Sequence, residues 1–458
     1  MLLTKHHEGD NIWIMKKNVF RCVLVFIIFL FLTIYVFPMT CDEIWSYGFS
    51  HNIYVGLTPY KDFNMIVPIF YPLLMQILFN FFGSSILIFD ITQALIFSIL
   101  SYFIFKLLDD KAWLILIFFF APINVFFPGY NLLSLLLVIM IIYLERKDTN
   151  DYLVGFFLFL VFFTKQTIGI LILLPSILFY KKSKKLLKRI IGFIIPLVIF
   201  TIYLIFTKSF YQFIDLCFLG LIDFQSGNGT ILSICFILFL LLFLITLIII
   251  KKNSKDISNY YVLFSYVITI PLFYPEHFQY SLMMFIFLLL INYKDKIVIN
   301  SKLVFILVFI AVVLLNKNEM IFNNKINHFN HRKMEKQVIY MTKDIENYIK
   351  KNKNRKIVFL DSRAYYFKIV NDINIDYLDL INVGNSGYNG SEKLIRKIKE
   401  NKNAIFMVNK SLITEEQLNR KDQYTKKRDQ TDKKVIKYVI SHGKKIDKLG
   451  IYDIYELK

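Results

Sequence analysis

Two adjacent carboxylates, Asp42 and Glu43, stand in the stretch Thr40-Cys41-Asp42-Glu43-Ile44-Trp45-Ser46-Tyr47, just beyond an apolar run from Val19 to Pro38. Charge held at a membrane surface is costly unless it serves a purpose, so an acid pair at the mouth of a span reads as a functional site. A carboxylate there can accept the proton of an attacking hydroxyl, or orient it. The spacing of Thr40 and Glu43 also fits a capping box, in which Glu43 satisfies backbone donors of the following helix. Next comes Gly56-Leu57-Thr58-Pro59-Tyr60-Lys61-Asp62-Phe63, followed by the Pro-containing aromatic stretch Val67 to Leu73. Tyr60 and Asp62 are candidate substrate contacts and Lys61 a candidate cation for an anionic substrate, while a turn begun at Pro59 explains Asp62 equally well.

Three later stretches carry polar groups of the same kind: Gly129-Tyr130-Asn131, Thr164-Lys165-Gln166 and Pro275-Glu276-His277. Lys165, Lys61 and a protonated His277 have the charge to stabilise an anionic leaving group in a partly dewatered site. Tyr130, Asn131 and Glu276 join them as candidate substrate contacts. For Lys165 the plainer alternative is a long cationic side chain snorkelling from a helix end. Cys22, Cys41, Cys217 and Cys235 show no CxxC pair or metal spacing and support no disulfide framework.

The elements that must position these groups are set by composition. Of 458 residues 56% are hydrophobic, with 48 Phe. So much apolar surface does not fit inside a soluble core, and the expected class is an α-helical polytopic membrane protein. Apolar runs mark candidate spans near 19–38, 86–107, 112–127, 130–144, 152–164, 166–180, 190–207, 230–250, 259–274, 278–292 and 301–316. Basic residues in short loops, Lys16, Lys17 and Arg21, then Lys181 to Arg189, then Lys251, Lys252 and Lys255, predict a cytoplasmic side that includes the N-terminus. The run 65–82, with Pro68 and Pro72, is expected to lie at or dip into the outer surface. About eleven spans then remain, with an extracytoplasmic C-terminus, and every candidate site residue falls on the outer face. The alternative is that 65–82 crosses, with 130–144 and its neighbour forming one broken span. Aromatic enrichment and the net charge of +20 have ordinary membrane explanations, and nothing points to nucleic acid.

Composition changes near residue 320, which predicts two domains, a transmembrane domain over 1–320 and a soluble α/β domain over 321–458. Within the latter, helices are expected over 334–351, 391–401 and 431–442, strands over 356–361 and 404–408, and a closing strand pair over 445–456. Asp361, Ser362 and Arg363, at the end of the first strand, are positioned to face a bound group. The glycine- and asparagine-rich loop Asn382 to Gly390 lacks a phosphate-binding fingerprint and reads as a turn.

The acid pair after the first span, the Gly-x-x-Pro-Tyr-x-Asp stretch, the Pro-containing aromatic helix and a span ending in Thr164-Lys165 together resemble the GT-C superfamily of multi-span glycosyltransferases. The likeness is to the bacterial relatives of protein O-mannosyltransferases and of the lipid A aminoarabinose transferase, and covers roughly residues 15–320. It implies a sugar carried on a polyprenyl phosphate and transferred with inversion to an extracytoplasmic glycan, lipid or protein of the cell envelope. Asp42 matches the family's catalytic Asp and Lys165 its Thr-Lys position, while Glu276-His277 stands where the family often has Arg-His. No cofactor is required by this reading, which leaves open whether a divalent cation assists Asp42. A transporter or flippase for lipid-linked sugars, and a noncatalytic assembly protein for envelope polymers, are the alternative expectations.

Overall fold

The computed structural model describes residues 2–35, 41–120, 129–181, 183–221, 234–267, 275–298, 343–361, 385–410 and 431–457, with isolated positions between 300 and 310 and at 368, 378 and 379. The molecule is mostly helical. In chain order the helices are α1 Leu2–Tyr35, α2 Cys41–Tyr54, α3 Phe70–Phe82, α4 Ile86–Leu108, α5 Trp113–Phe120, α6 Tyr130–Arg146, α7 Asp151–Thr164, α8 Gln166–Phe179, α9 Lys184–Phe206 and α10 Phe210–Ile214. A single π turn, Asp215–Leu219, continues α10, and α11 Ile234–Lys252, α12 Ile257–Val267 and α13 Pro275–Tyr293 follow.

Three stretches among the described residues are long and apolar enough to cross a membrane: Lys16–Ile34, Ile86–Phe120 and Lys184–Phe206. That is fewer than the eleven crossings expected from apolar runs. The reason is partly length, since α7 and α8 have 14 residues each, short of the roughly 20 that a perpendicular crossing requires. α3, at 13 residues, is likewise too short. The expected run 301–316 lies largely outside the described residues.

The chain forms two compact units, and neither is continuous in sequence. One comprises Met1–Pro38, Ser85–Val198 and Leu232–Lys333, the other Met39–Ser84, Ile199–Ile231 and Met334–Lys458. Composition alone places one boundary near residue 320. The grouping instead joins the segments 39–84 and 199–231 with the C-terminal residues.

In the first unit, basic residues find acidic partners. Arg21 and Lys17 pair with Asp110, Lys294 with Asp109, and Arg146 with Asp256. Most deeply buried is Arg189, 3% exposed, whose guanidinium bonds Glu145 at 2.6 Å and Asp151 at 2.9 Å and also donates to Ser176. The Tyr261 hydroxyl donates to Glu145, and the Tyr180 ring lies 4.1 Å from the Arg189 guanidinium carbon. Taking such ions out of water costs several kcal/mol each unless every donor and acceptor is matched. Here the network spans α6, α7, α8, α9 and α12 and ties five helices at one cluster. Several basic residues that the sequence marks as topological signals therefore act as structural pins.

Helices α7 and α8 form a tight hairpin with Lys165 alone between them. Its backbone is extended at φ −148° and ψ 100°. The two helices approach so closely that a Cβ on Gly169 would overlap the Phe162 backbone, the kind of contact that small residues permit between apolar helices.

The second unit contains α2, α3, α10 and an α/β layer. The layer comprises α14 Lys343–Lys351, β1 Ile357–Phe359, α15 Gly390–Glu400, β2 Ile405–Asn409, α16 Thr431–His442, β3 Gly443–Leu449 and β4 Tyr452–Leu457. Strand order is β1-β2-β4-β3, with β1 and β2 parallel and the other two neighbouring pairs antiparallel. Val358, Leu360, Phe406 and Val408 on one sheet face meet Leu394, Ile398, Val435 and Val439 of the helices. Burial of each such side chain contributes about 1.5–3 kcal/mol. Ile357, Phe359, Ile405 and Met407 are buried as well, so β1 and β2 read as continuous apolar runs.

The glycine- and asparagine-rich loop has a specific task. Its described part, 385–389, leads into the first turn of α15 and encloses the Asp215 carboxylate. The Tyr388 backbone N–H donates to Asp215 Oδ1 at 3.1 Å, and Lys393 pairs with Oδ2. Gly387 has φ +82°, and a Cβ there would overlap that carboxylate. Asp215 reads from sequence as a solvated loop residue. The structure instead makes it the anchor between α10 and the α/β layer.

Candidate functional site

Helix α2 carries an unusual load of buried polar groups for a segment that follows a membrane-crossing stretch. Asp42 and Glu43 occupy its first turn, where acidic side chains complement the helix dipole. Asp42 is partly exposed, while Glu43 is buried. Thr40, the other half of the expected capping box, lies outside the described residues. Ser46 and Ser50 are fully buried and bond back into the helix, to Asp42 O at 2.8 Å and Ser46 O at 2.6 Å, which satisfies hydroxyls that would otherwise be costly to bury.

Glu43, Tyr47 and His51 recur every fourth residue and so share one helical stripe, all three buried. At its far end two of them converge on one hydroxyl: His51 Nδ1 lies 2.8 Å and Tyr47 OH 3.1 Å from Ser84 Oγ. The Tyr47 and His51 rings stack with centroids 6.1 Å apart, and Tyr54 flanks the imidazole at 6.3 Å. This Ser–His–Tyr group is absent from the motif reading. Only the four-residue spacing along α2 signalled it, and Ser84 is remote from that helix in sequence.

The loop after α2 sorts its candidates differently from the expectation. Tyr60, a candidate substrate contact, is completely buried with φ +66°. Its hydroxyl donates to Val67 O at 3.0 Å and its ring packs on Phe213 at 5.2 Å. Burial pushes its phenol well above the ordinary value, and these contacts make Tyr60 a brace of the loop. Asp62 Oδ2 accepts the Thr58 N–H at 2.7 Å, the turn-closing role. Lys61 is exposed beside it.

In the first unit, the structure brings together three candidates from two separate stretches of the chain. Lys165 Nζ donates to Asn131 Oδ1 at 2.6 Å and lies 5.9 Å from the centre of the Tyr130 ring. Gly129, just before them, donates to Gln93 Oε1 at 3.2 Å. The hairpin therefore presents its cation at the tip, held by a carbonyl oxygen and an aromatic face. Glu276 and His277 open α13, and their side chains lie outside the described residues.

Among the described residues no group of three His, Cys, Asp or Glu side chains gathers as a metal site. In the α/β layer, Asp361 is buried and accepts from Asn409 Nδ2 at 2.8 Å, which ties the carboxyl ends of the two parallel strands. Ser362 and Arg363 lie outside the described residues. Comparison of the chain with protein-family models, with curated proteins and with solved structures finds no match.

Proposed function

We propose that the protein is an integral-membrane glycosyltransferase of the GT-C kind, moving a sugar from a polyprenyl-phosphate donor to an extracytoplasmic acceptor of the cell envelope. The observation that carries the reading is Asp42: a partly exposed carboxylate in the first turn of α2, eight residues past the end of Lys16–Ile34, an apolar stretch long enough to cross a membrane. The acceptor hydroxyl attacks the anomeric carbon and loses its proton to Asp42 as the bond to phosphate breaks. Transfer then inverts the anomeric centre. Developing charge on the leaving phosphate calls for a fixed cation, and by the resemblance Lys165, Lys61 and His277 are the candidates for that role.

The membrane assignment draws support from the three stretches long and apolar enough to cross a bilayer and from the basic residues that flank the helices of the first unit. On this reading those basic residues are cytoplasmic, the molecule crosses about eleven times, and the α/β layer is extracytoplasmic.

The test uses purified protein in lipid nanodiscs, a panel of radiolabelled polyprenyl-phosphate sugars and a cell-envelope extract. Label passing into envelope material with the wild type but not with Asp42→Asn supports the reading and names the sugar. No transfer from any donor by well-folded protein overturns it and leaves transport or envelope assembly as the function to pursue.

A further inference from the structure

The Ser84, His51 and Tyr47 group belongs to no step of sugar transfer, yet its geometry is that of an activated hydroxyl. A nucleophile and its base must lie within about 2.6–3.2 Å of each other, and Ser84 Oγ is 2.8 Å from His51 Nδ1. A serine hydroxyl has one proton. With Nδ1 unprotonated, that proton goes to His51, and Tyr47 O–H is then the donor to Ser84 Oγ at 3.1 Å. The three groups form a directed chain in which His51 draws the proton away and Tyr47 stabilises the charge left on oxygen. Ring contacts with Tyr47 and Tyr54 hold the imidazole in place.

The surroundings indicate the substrate. Ser84 is partly exposed, and Gly83 beside it leaves open space where a side chain would stand. The same end of α3 presents Ile77, Phe81 and Phe82 at 53%, 77% and 68% exposure. These three large apolar side chains stand on the helix that precedes Ser84 in the chain, a surface suited to a hydrocarbon chain.

We infer that Ser84 is the nucleophile of a second, acyl-transfer centre that takes lipid esters, with His51 as its base. Ser84 Oγ adds to the ester carbonyl carbon and its proton passes to His51. The bond from carbonyl carbon to the leaving oxygen then breaks, and that oxygen takes the proton from His51 and departs as an alcohol. Water or a second alcohol resolves the serine ester by the same steps in reverse, so atoms, charge and electrons balance without a redox partner. This goes beyond the sugar-transfer reading and does not depend on it.

A long-chain alkyl fluorophosphonate, reacted with the full-length protein in nanodiscs, tests the inference. The expected result is an adduct mapped by mass spectrometry to Ser84 and lost in Ser84→Ala. Formation is expected to be at least tenfold slower in His51→Gln, and faster for the long-chain probe than for its short-chain counterpart. The rate should rise with pH, since the base must be unprotonated to take the serine proton. Absence of a Ser84 adduct in folded wild-type protein, a pH-independent rate, or an undiminished rate in His51→Gln overturns it. The wild-type adduct and its pH profile decide the matter even where a variant fails to fold.

Discussion

Gly387 lies against Asp215 so closely that any Cβ at position 387 would overlap its carboxylate, while the next residue's N–H and the Lys393 ammonium bind the same group. A positive φ, a missing side chain and an anion are thus matched at one point between α10 and α15. Gly387→Ala should cost about 2 kcal/mol or more, combining the left-handed backbone penalty with the clash. Asp215→Asn should cost about 1 kcal/mol or less, since Lys393 is well exposed to solvent. In an Asp215→Ala background the Gly387→Ala penalty should shrink, a coupling that a double-mutant cycle of thermal unfolding would reveal. Strict additivity would refute the contact.

Breaking the Arg189 network should be more severe. Arg189→Met leaves Glu145 and Asp151 buried without their cation, at a cost of about 3–5 kcal/mol. Adding Glu145→Gln and Asp151→Asn removes the stranded charges and should recover a good part of it. Melting temperatures in detergent, followed with monodispersity, would show the loss and the recovery.

The hairpin cation should matter for activity more than for folding. If Lys165 neutralises donor phosphate, Lys165→Met should lower sugar transfer by about 10²-fold, the scale seen when one charge-stabilising donor is removed. Asn131→Ala, which leaves the charge in place, should cost far less. Initial rates with saturating donor would separate the two, and equal small effects would return Lys165 to a snorkelling role.

Tyr60 supplies a pH signature. Its phenol is raised by burial above its ordinary value of 10.0, so the folded state holds the protonated form more tightly than the unfolded chain does. That stabilisation is fully present below pH 10 and is lost as pH climbs from there toward the folded value. The difference in melting temperature between wild type and Tyr60→Phe should stay constant near neutrality and then move against the wild type above pH 10. A flat difference across that range would contradict the burial argument.

Much of this architecture is legible in the chain. Among the described residues helices form along the apolar runs, and Ile357–Phe359, Ile405–Asn409 and the C-terminal strand pair fall close to their predicted places, because long periodic stretches and short β-branched runs carry their own signal. Asp42 and Glu43 are visible because charge next to a span is conspicuous. The burial of Tyr60 is not legible, because a Pro-Tyr-Lys-Asp loop looks exposed in sequence, whereas Phe213, more than 150 positions away, packs on its ring. Ser84 and Asp215 were missed for the same physical reason: each draws its meaning from a partner brought near only by tertiary folding.

The discontinuity of the second unit also sets a timetable for biogenesis. Residues 39–84 group with a segment from the middle of the chain and with residues 334–458. The unit that holds α2, with buried Ser46, Ser50 and Asn52, is therefore complete only once residues 334–458 have been synthesised. A chain stalled before residue 334 would lack part of that unit, a ready target for membrane quality control.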